Sequence, residues 1–512
     1  MSSRIELSHL RDHYDLVIIG GGITGAGILR EASGRGTSVL LVEARDFASG
    51  TSSWSSKLVH GGLRYLKNGQ WRLTLESVRE RQRLMREAPG LIDPQPFLMP
   101  IYAGAKPGRW LMQMGLLIYD LMGGVRRSSW LDQNAALKRV PALAPDRLLG
   151  AVAYEDARTD DARLVLRLIF EGRAAGADVL NYTRAQLRSE GGRVSGVQLI
   201  DSLSGQQREI GAGVVINATG AWASDIPGAP AGAPKLRPLR GSHLVFPSAR
   251  WPLTEAVGWL HPRDQRPVFA YPWEGAVLYG TTDLDHLGTP DQAVINPAEV
   301  DYLIEALDRQ FPALRLRASD ALASYSGVRP IVDGGKADPS AESRESAMWQ
   351  QPGLVGITGG KLTTFRVTAR QVLREAAKQL PQLDPGPERP VFQQPDNPVD
   401  THHGRRLQGR FGALAARLQA ETPADELQPI GSTPYTWAEL RWSARHEAVV
   451  CLSDLMMRRT RLGLVCADGG SSYLPRILQI CAEELGWDEA RCAAESDAYR
   501  QYWRRQHAPP GI

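Results

Sequence analysis

The sequence predicts an α/β fold: a Rossmann-like unit, a second and mostly antiparallel sheet, and a helical C-terminal region. Three observations carry that prediction. Residues 15–42 run strand, helix, strand, with a Gly-rich turn between the first strand and the helix. Strand-like runs recur between His243 and Thr282. Beyond six prolines at 381–398 the chain becomes helix-rich and carries all four cysteines.

The elements follow in order. DLVIIG at 15–20 is apolar and β-branched, 23–35 has a helical pattern, and 38–42 is apolar again, the length a parallel crossover requires. Residues 161–175 place apolar side chains at helical spacing. Alternating segments then follow, with turn signals at Glu190-Gly191-Gly192 and Ser204-Gly205, which predict a small antiparallel meander. Val214-Val215-Ile216 reads as a buried strand, and HLVFP, PVFAYPW and AVLYGTT as strands of the second sheet. Residues 365–380 read as a helix.

At 512 residues the chain is too long for one core, so two or three domains are expected. Its 43% hydrophobic and 23% charged residues are those of an ordinary folded protein. A net charge of +4 gives no reason to expect nucleic acid. Cys451, Cys466, Cys481 and Cys492 lack CxxC spacing, which predicts free thiols in a reducing compartment and no metal site. The N-terminal MSSRIELSHLRDHY has no apolar run. The apolar stretch 110–119 stops at Asp120, well short of the about 20 residues a span requires. A soluble or peripheral protein is expected.

Gly20-Gly21-Gly22-Ile23-Thr24-Gly25 fits GxGxxG at Gly20, Gly22 and Gly25, and Glu43 ends the next strand 18 residues later. Glycines there let backbone approach a pyrophosphate on the helix N-terminus, and the acid meets a ribose hydroxyl. NAD and FAD share this pattern. Asn217-Ala218-Thr219-Gly220-Ala221-Trp222, after an apolar strand, favours FAD, with Ala218, Thr219 and Gly220 against the nucleotide. Gly359-Gly360-Lys361-Leu362-Thr363 forms another strand-to-helix junction, whose N–H groups can meet the negative charge of a reduced flavin. Gly360, Lys361, Leu362 and Thr363 are therefore candidate cofactor residues.

TSSWSSKLVHGGLRYL, GSHLVF, GTTD, YSGVRP and GGKLTTF, in this order after GGGITGAG, closely resemble the FAD-dependent glycerol-3-phosphate dehydrogenases. The resemblance covers most of the chain, and ELRWSARHEAVVCLSDLMMRRTRLGL resembles their added helical domain. It implies the fold of D-amino acid and glycine oxidases. It implies an FAD domain at 14–90, 156–240 and 331–385, a substrate domain at 91–155 and 241–330, a Pro-rich linker at 386–400 and a helical domain at 401–512. It further implies oxidation of glycerol 3-phosphate to dihydroxyacetone phosphate, by hydride transfer from C2 to flavin N5, with electrons passed to a membrane quinone. The related oxidases use oxygen and carry an insertion for which GTTD, YSGVRP and GGK leave no obvious room. A homodimer, peripherally attached to the inner face of the cytoplasmic membrane, is the family expectation.

Within the matched motifs, chemistry assigns roles. A dianionic phosphate favours several cationic donors, and Arg64, Arg329 and Lys361 are the candidates, each with surface charge as its alternative. A base must take the C2 hydroxyl proton, and His60 and His243 both stand in matched motifs. Which of them accepts it stays open. Arg329 and Lys361 can also stabilise the developing charge. Thr51, Ser52, Ser53, Ser55, Ser56, Lys57 and Leu58 read as cofactor contacts, with Gly61 and Gly62 giving bare backbone to the flavin. Tyr65 packs on substrate or on core. Trp54 departs from the family pattern, in which a small residue stands there. Residues 110–121, with Arg109, Arg126 and Arg127 at the flank, form either an apolar face for a membrane or a helix buried in the substrate domain. Two rivals remain: an amine or amino-acid oxidase of the same fold, and a binding protein whose FAD is structural or whose C-terminal domain docks a partner through its Arg-rich helices at Arg458, Arg459 and Arg461.

Overall fold

The computed structural model describes residues 4–62, 69–229, 232–336, 342, 345–395, 397–399 and 401–509. Among them, an eight-stranded sheet runs in the order Ser346–Gln351, Leu354–Gly359, Gln207–Asn217, His13–Ile19, Val39–Val42, Asp178–Leu180. Four of these five pairings are parallel, as a crossover unit requires, and the first, Ser346–Gln351 with Leu354–Gly359, is antiparallel. The hairpin Thr183–Glu190 and Arg193–Asp201 is the expected meander, joined antiparallel to Gln207–Asn217.

Strand alternation sorts the core of this sheet. Leu16 and Ile18 face one side, where the helices Ile23–Ala32, Asp161–Ala174 and Phe365–Ala377 bury Ile28, Leu29, Leu164, Leu168 and Val372. Val17 and Ile19 face the other side, against Leu199 and Ile210 of the meander.

The second sheet is ten-stranded and antiparallel except where Ala256–Leu260 meets Ile92–Tyr102. Its central strand, Leu236–Pro247, pairs with Ala276–Gly280 on one edge and Ala323–Val332 on the other. Ile92–Tyr102 was hidden from sequence reading by Pro94, Pro96 and Pro100, which cannot donate to a ladder. It is tolerated because its second edge is paired only at Phe97 and Leu98.

The two sheets are stitched together across the expected boundaries. Leu58–Val59 leaves the dinucleotide unit to pair with Arg158 and Ala157 of Leu148–Thr159, which runs past residue 155. Leu236–Pro247 likewise begins before residue 241.

The C-terminal helices share one core with the second sheet: Tyr271, Trp273 and Tyr325 pack with Leu440, Met456, Leu462 and Trp503. Residues 386–394 of the expected linker at 386–400 are a packed strap over the dinucleotide unit. Val391 and Phe392 are buried in its core, and Glu388 pairs with Arg83 and Arg366. Glu171 accepts from Gln393 N–H. Proline's fixed backbone here holds an extended segment against the body and does not loosen it.

Candidate active site

One cavity of about 880 Å³ opens at the C-terminal ends of the parallel strands and is lined from both sheets. At its nucleotide end the Gly-rich turn is a tight cradle. A Cβ on Gly20, whose φ is +114°, would lie 2.5 Å from Ala218 O, and one on Gly25 would lie 1.9 Å from Gly20 O. Gly25 thus works by close packing and does not itself line the cavity, while Gly20, Gly22 and Thr24 do. The first turn of Ile23–Ala32 opens on this space, with Ile23 N–H donating to Ser52 Oγ at 2.9 Å. Glu43 also lines it. Its carboxylate accepts from Gly21 N–H at 2.7 Å and Arg45 N–H at 3.0 Å, and burial pushes its pKa up. Ala218, Thr219 and Gly220 close the wall, with Gly220 O accepting from Thr358 Oγ1 at 2.8 Å.

At the other end, Lys361, Leu362 and Thr363 from the first sheet's last junction meet Arg329 from the second sheet. Arg329 donates from Nη1 to Asp283 Oδ1 at 3.0 Å and from Nη2 to Thr281 Oγ1 at 3.2 Å. A Cβ on Gly241 would sit 2.3 Å from Arg329 Nη2, so that glycine makes room for the guanidinium. His60, Gly62, Gly360, Thr51, Ser52, Ser55, Ser56, Leu58 and Trp54 complete this end. Thr363 Oγ1 donates to His60 O at 3.2 Å, tying the two Gly-Gly turns together.

A family model described as FAD dependent oxidoreductase matches residues 15–373, and one described as the C-terminal domain of alpha-glycerophosphate oxidase matches 355–492. An aerobic glycerol-3-phosphate dehydrogenase of Staphylococcus aureus is 32% identical over 524 residues, covering 96% of this chain and 94% of that one. This chain belongs to the FAD-dependent glycerol-3-phosphate dehydrogenase family. A homologous dehydrogenase of Staphylococcus saprophyticus is 32% identical over 95% of this chain and 93% of its own length. The solved glycerol-3-phosphate dehydrogenase of Bacillus halodurans, complexed with FAD, superposes with a TM-score of 0.77 at 27% identity, over 98% of this chain and 96% of that one. Glycine oxidase of Bacillus cereus shares the fold over 72% of this chain and 96% of its own, with a TM-score of 0.53 at 18% identity.

FAD is the cofactor of this family, and the residues present fit it. The cradle at Gly20 and Gly22 and the helix N-terminus suit a pyrophosphate, and Glu43 retains acceptor capacity for a ribose hydroxyl. The cavity continues past Arg184, Gln186, Ile200 and Asp225 of the meander side, which gives length for the adenosine half. No sequence signal marked those residues, because a meander carries no motif. Arg266 carries no motif either, and Asp283, although it closes the matched GTTD motif, was given no role. Arg266 lines the substrate end and donates to Asp283 O at 2.6 Å.

Four expected site residues stand elsewhere. His243 is wholly buried behind the wall, with Nε2 3.0 Å from Ser56 Oγ and its ring stacked on Tyr325 at 4.6 Å. Burial, reinforced by Arg329 and Lys57, holds its pKa well below the usual range, so it positions Ser56 as a neutral ring. Lys57 is also fully buried. Its Nζ donates to Ser53 O at 2.7 Å and Asp161 Oδ1 at 2.9 Å, and Ser53 is buried beside it. Lys57 and Ser53 therefore brace the loop from behind and do not contact the cofactor. Gly61 gives its bare side to the helices beneath: a Cβ would strike Val78 Cγ2 at 2.3 Å, and its N–H donates to Tyr119 Oη at 2.7 Å. Gly62 is the glycine that faces the cavity. Arg64 and Tyr65 lie outside the described residues.

Proposed function

We propose that this protein oxidises sn-glycerol 3-phosphate to dihydroxyacetone phosphate and passes the electrons to a membrane quinone. The observation that carries the reading is the meeting of Arg329 and Lys361, from segments of two different sheets, and of His60 in the one cavity that also holds the dinucleotide cradle. Two cations in one cavity suit a phosphate dianion better than the single carboxylate of an amino acid. FAD, when bound, supplies the hydride acceptor for C2 at its N5. His60 takes the hydroxyl proton, because it lines the cavity whereas His243 is sealed behind it. Arg329, held by Asp283 and Thr281, fixes the phosphate end and the reacting carbon with it. Lys361 sits at the glycine-rich junction, where a cation and oriented N–H groups favour the charge gained on reduction.

A second reading, an oxygen-using glycerol-3-phosphate oxidase, is favoured by the match of 355–492 to an oxidase C-terminal domain. Surface chemistry supports the quinone. On the helix Arg109–Gly123, Trp110 is 74% and Leu121 71% exposed, with Leu111, Met114 and Leu117 also outward. Lys106 and Arg126 flank them, a pattern suited to an anionic lipid surface at the inner face of the cytoplasmic membrane. Among the described residues, no helix is long and apolar enough to cross a membrane. Substrate-reduced enzyme should be reoxidised faster by a soluble quinone analogue than by air-saturated buffer. Trp110→Ser with Leu121→Ser should abolish co-sedimentation with anionic vesicles and leave soluble-quinone turnover within twofold. Faster reoxidation by oxygen would favour the oxidase, and undiminished sedimentation would remove this helix from the membrane reading.

A further inference from the structure

The loop 53–57 forms part of the flavin-side wall through Trp54, Ser55 and Ser56, yet what holds it comes largely from distant elements. Asp161, at the first turn of Asp161–Ala174, accepts Ser55 N–H at 3.0 Å and Ser55 Oγ at 2.7 Å on Oδ2. Its Oδ1 accepts from Lys57 Nζ at 2.9 Å. The same Oδ1 accepts from Arg461 Nη2 at 2.5 Å, and Arg461 belongs to the C-terminal helical region. Arg461 also donates to Asp160 Oδ1 from Nε at 3.0 Å and Nη2 at 2.8 Å, and to Met457 O at 2.7 Å. Arg461, Asp161 and Lys57 are all 0% exposed at the side chain.

Full burial makes this arrangement consequential. Asp160 and Asp161 are neighbouring carboxylates without solvent, and such a pair stays ionised only with cations in contact. Burial, helped by the neighbouring Arg461, outweighs the pull of Asp161 and brings the Lys57 ammonium down to about 8, so the lysine alone is a weaker counter-charge than a guanidinium for two buried acids. Arg410 reaches Asp160 Oδ2 at 3.2 Å, and Arg461 is the guanidinium that contacts both acids. A second arm of the C-terminal region meets the same loop. The His507 ring lies 4.9 Å from the Trp54 ring, and His507 Nδ1 is 3.0 Å from Ser324 O.

We propose that Arg461 is a positioning residue for the reaction. Mainly through Asp161, with a longer direct bond from Nη1 to Ser53 O at 3.4 Å, it fixes the flavin-side loop 53–57, which makes the C-terminal region a working part of the active site and not a cover. The proposal rests on the cavity being the flavin site. Without Arg461, Asp161 loses a buried partner and swings away, Ser55 and Lys57 lose their common acceptor, and Trp54, Ser55 and Ser56 shift against the flavin. A displacement near 1 Å at a reacting site costs roughly 10²-fold in rate.

The test compares FAD-loaded wild type with Arg461→Lys, Arg461→Ala and Asp161→Asn. Arg461→Ala should lower kcat about 10²-fold with KM for glycerol 3-phosphate changed less than threefold, and should alter the long-wavelength flavin band. Arg461→Lys keeps a charge but loses the fork, and should recover part of kcat and of the spectrum. Because Arg461 acts through Asp161, adding Arg461→Ala to Asp161→Asn should cost little more than Asp161→Asn alone. If Arg461→Ala fails to fold, the spectrum and kcat of Arg461→Lys decide. Flavin-loaded variants with wild-type spectrum and kcat, even at lowered melting temperature, would overturn the proposal, as would fully multiplicative effects. A wild-type protein that takes up no FAD would instead overturn the reading of the cavity itself.

Discussion

Arg329→Ala should cut kcat/KM for glycerol 3-phosphate by roughly 10²- to 10³-fold while the protein still binds FAD. The side chain lies at the substrate end of the cavity, away from the Gly-rich cradle, so the cofactor keeps its anchors. Its guanidinium is already oriented by Asp283 and Thr281, and little entropy is lost when a phosphate arrives. Removing one partner of a buried, hydrogen-bonded charge pair costs about 2–5 kcal/mol. The loss also removes the Arg329 charge from beside Asp283, where the anion arrives. Arg329→Lys should recover only part of the activity, since an ammonium cannot serve Asp283, Thr281 and a phosphate together. Steady-state kinetics alongside flavin content check this, and wild-type turnover in the alanine variant would remove Arg329 from the site.

His60→Asn should lower kcat by about 10²- to 10⁴-fold, the usual worth of a positioned general base. His243→Asn, which keeps a polar side chain near Ser56, should cost less than about tenfold, because its role is to hold a neighbour. The pH profile separates the two. A base must be neutral to accept a proton, so kcat/KM falls as pH drops through its pKa. His243 is held well below the usual histidine range by burial and by Arg329, and cannot give a limb near neutrality. An acidic limb present in wild type and in His243→Asn, but lost in His60→Asn, is the expected result. Loss of that limb in His243→Asn alone would reverse the assignment.

The cofactor half of the site was legible in the sequence because glycine spacing encodes it. Gly20 and Gly25 have neighbours at 2.5 and 1.9 Å from where a Cβ would be, so little else fits. The division of labour within SSKLVHGGLRY was not legible. Lys57 turns inward because Asp161 lies behind it, 104 residues away in the chain. Local polarity predicted a ligand contact and could not reveal the buried acid. His243 was misplaced for a related reason. Residues 241–246 of its strand are all buried, since the sheet is covered on both faces, and alternation then no longer tells inside from outside. The packed strap at 386–394 reads as linker by composition, and only Val391 and Phe392 hint at its docking. Arg266 carries no motif at all; it reaches the cavity through the register of the second sheet.

The central claim is that this cavity joins a bound FAD to a phosphorylated alcohol. Anaerobic mixing of the purified yellow protein with sn-glycerol 3-phosphate tests it most directly, with glycerol, glycine and D-alanine as comparisons. The account predicts rapid bleaching of the flavin by glycerol 3-phosphate, with dihydroxyacetone phosphate formed in equal amount, and no comparable bleaching by the others. Bleaching by glycine or D-alanine with none by glycerol 3-phosphate would contradict it.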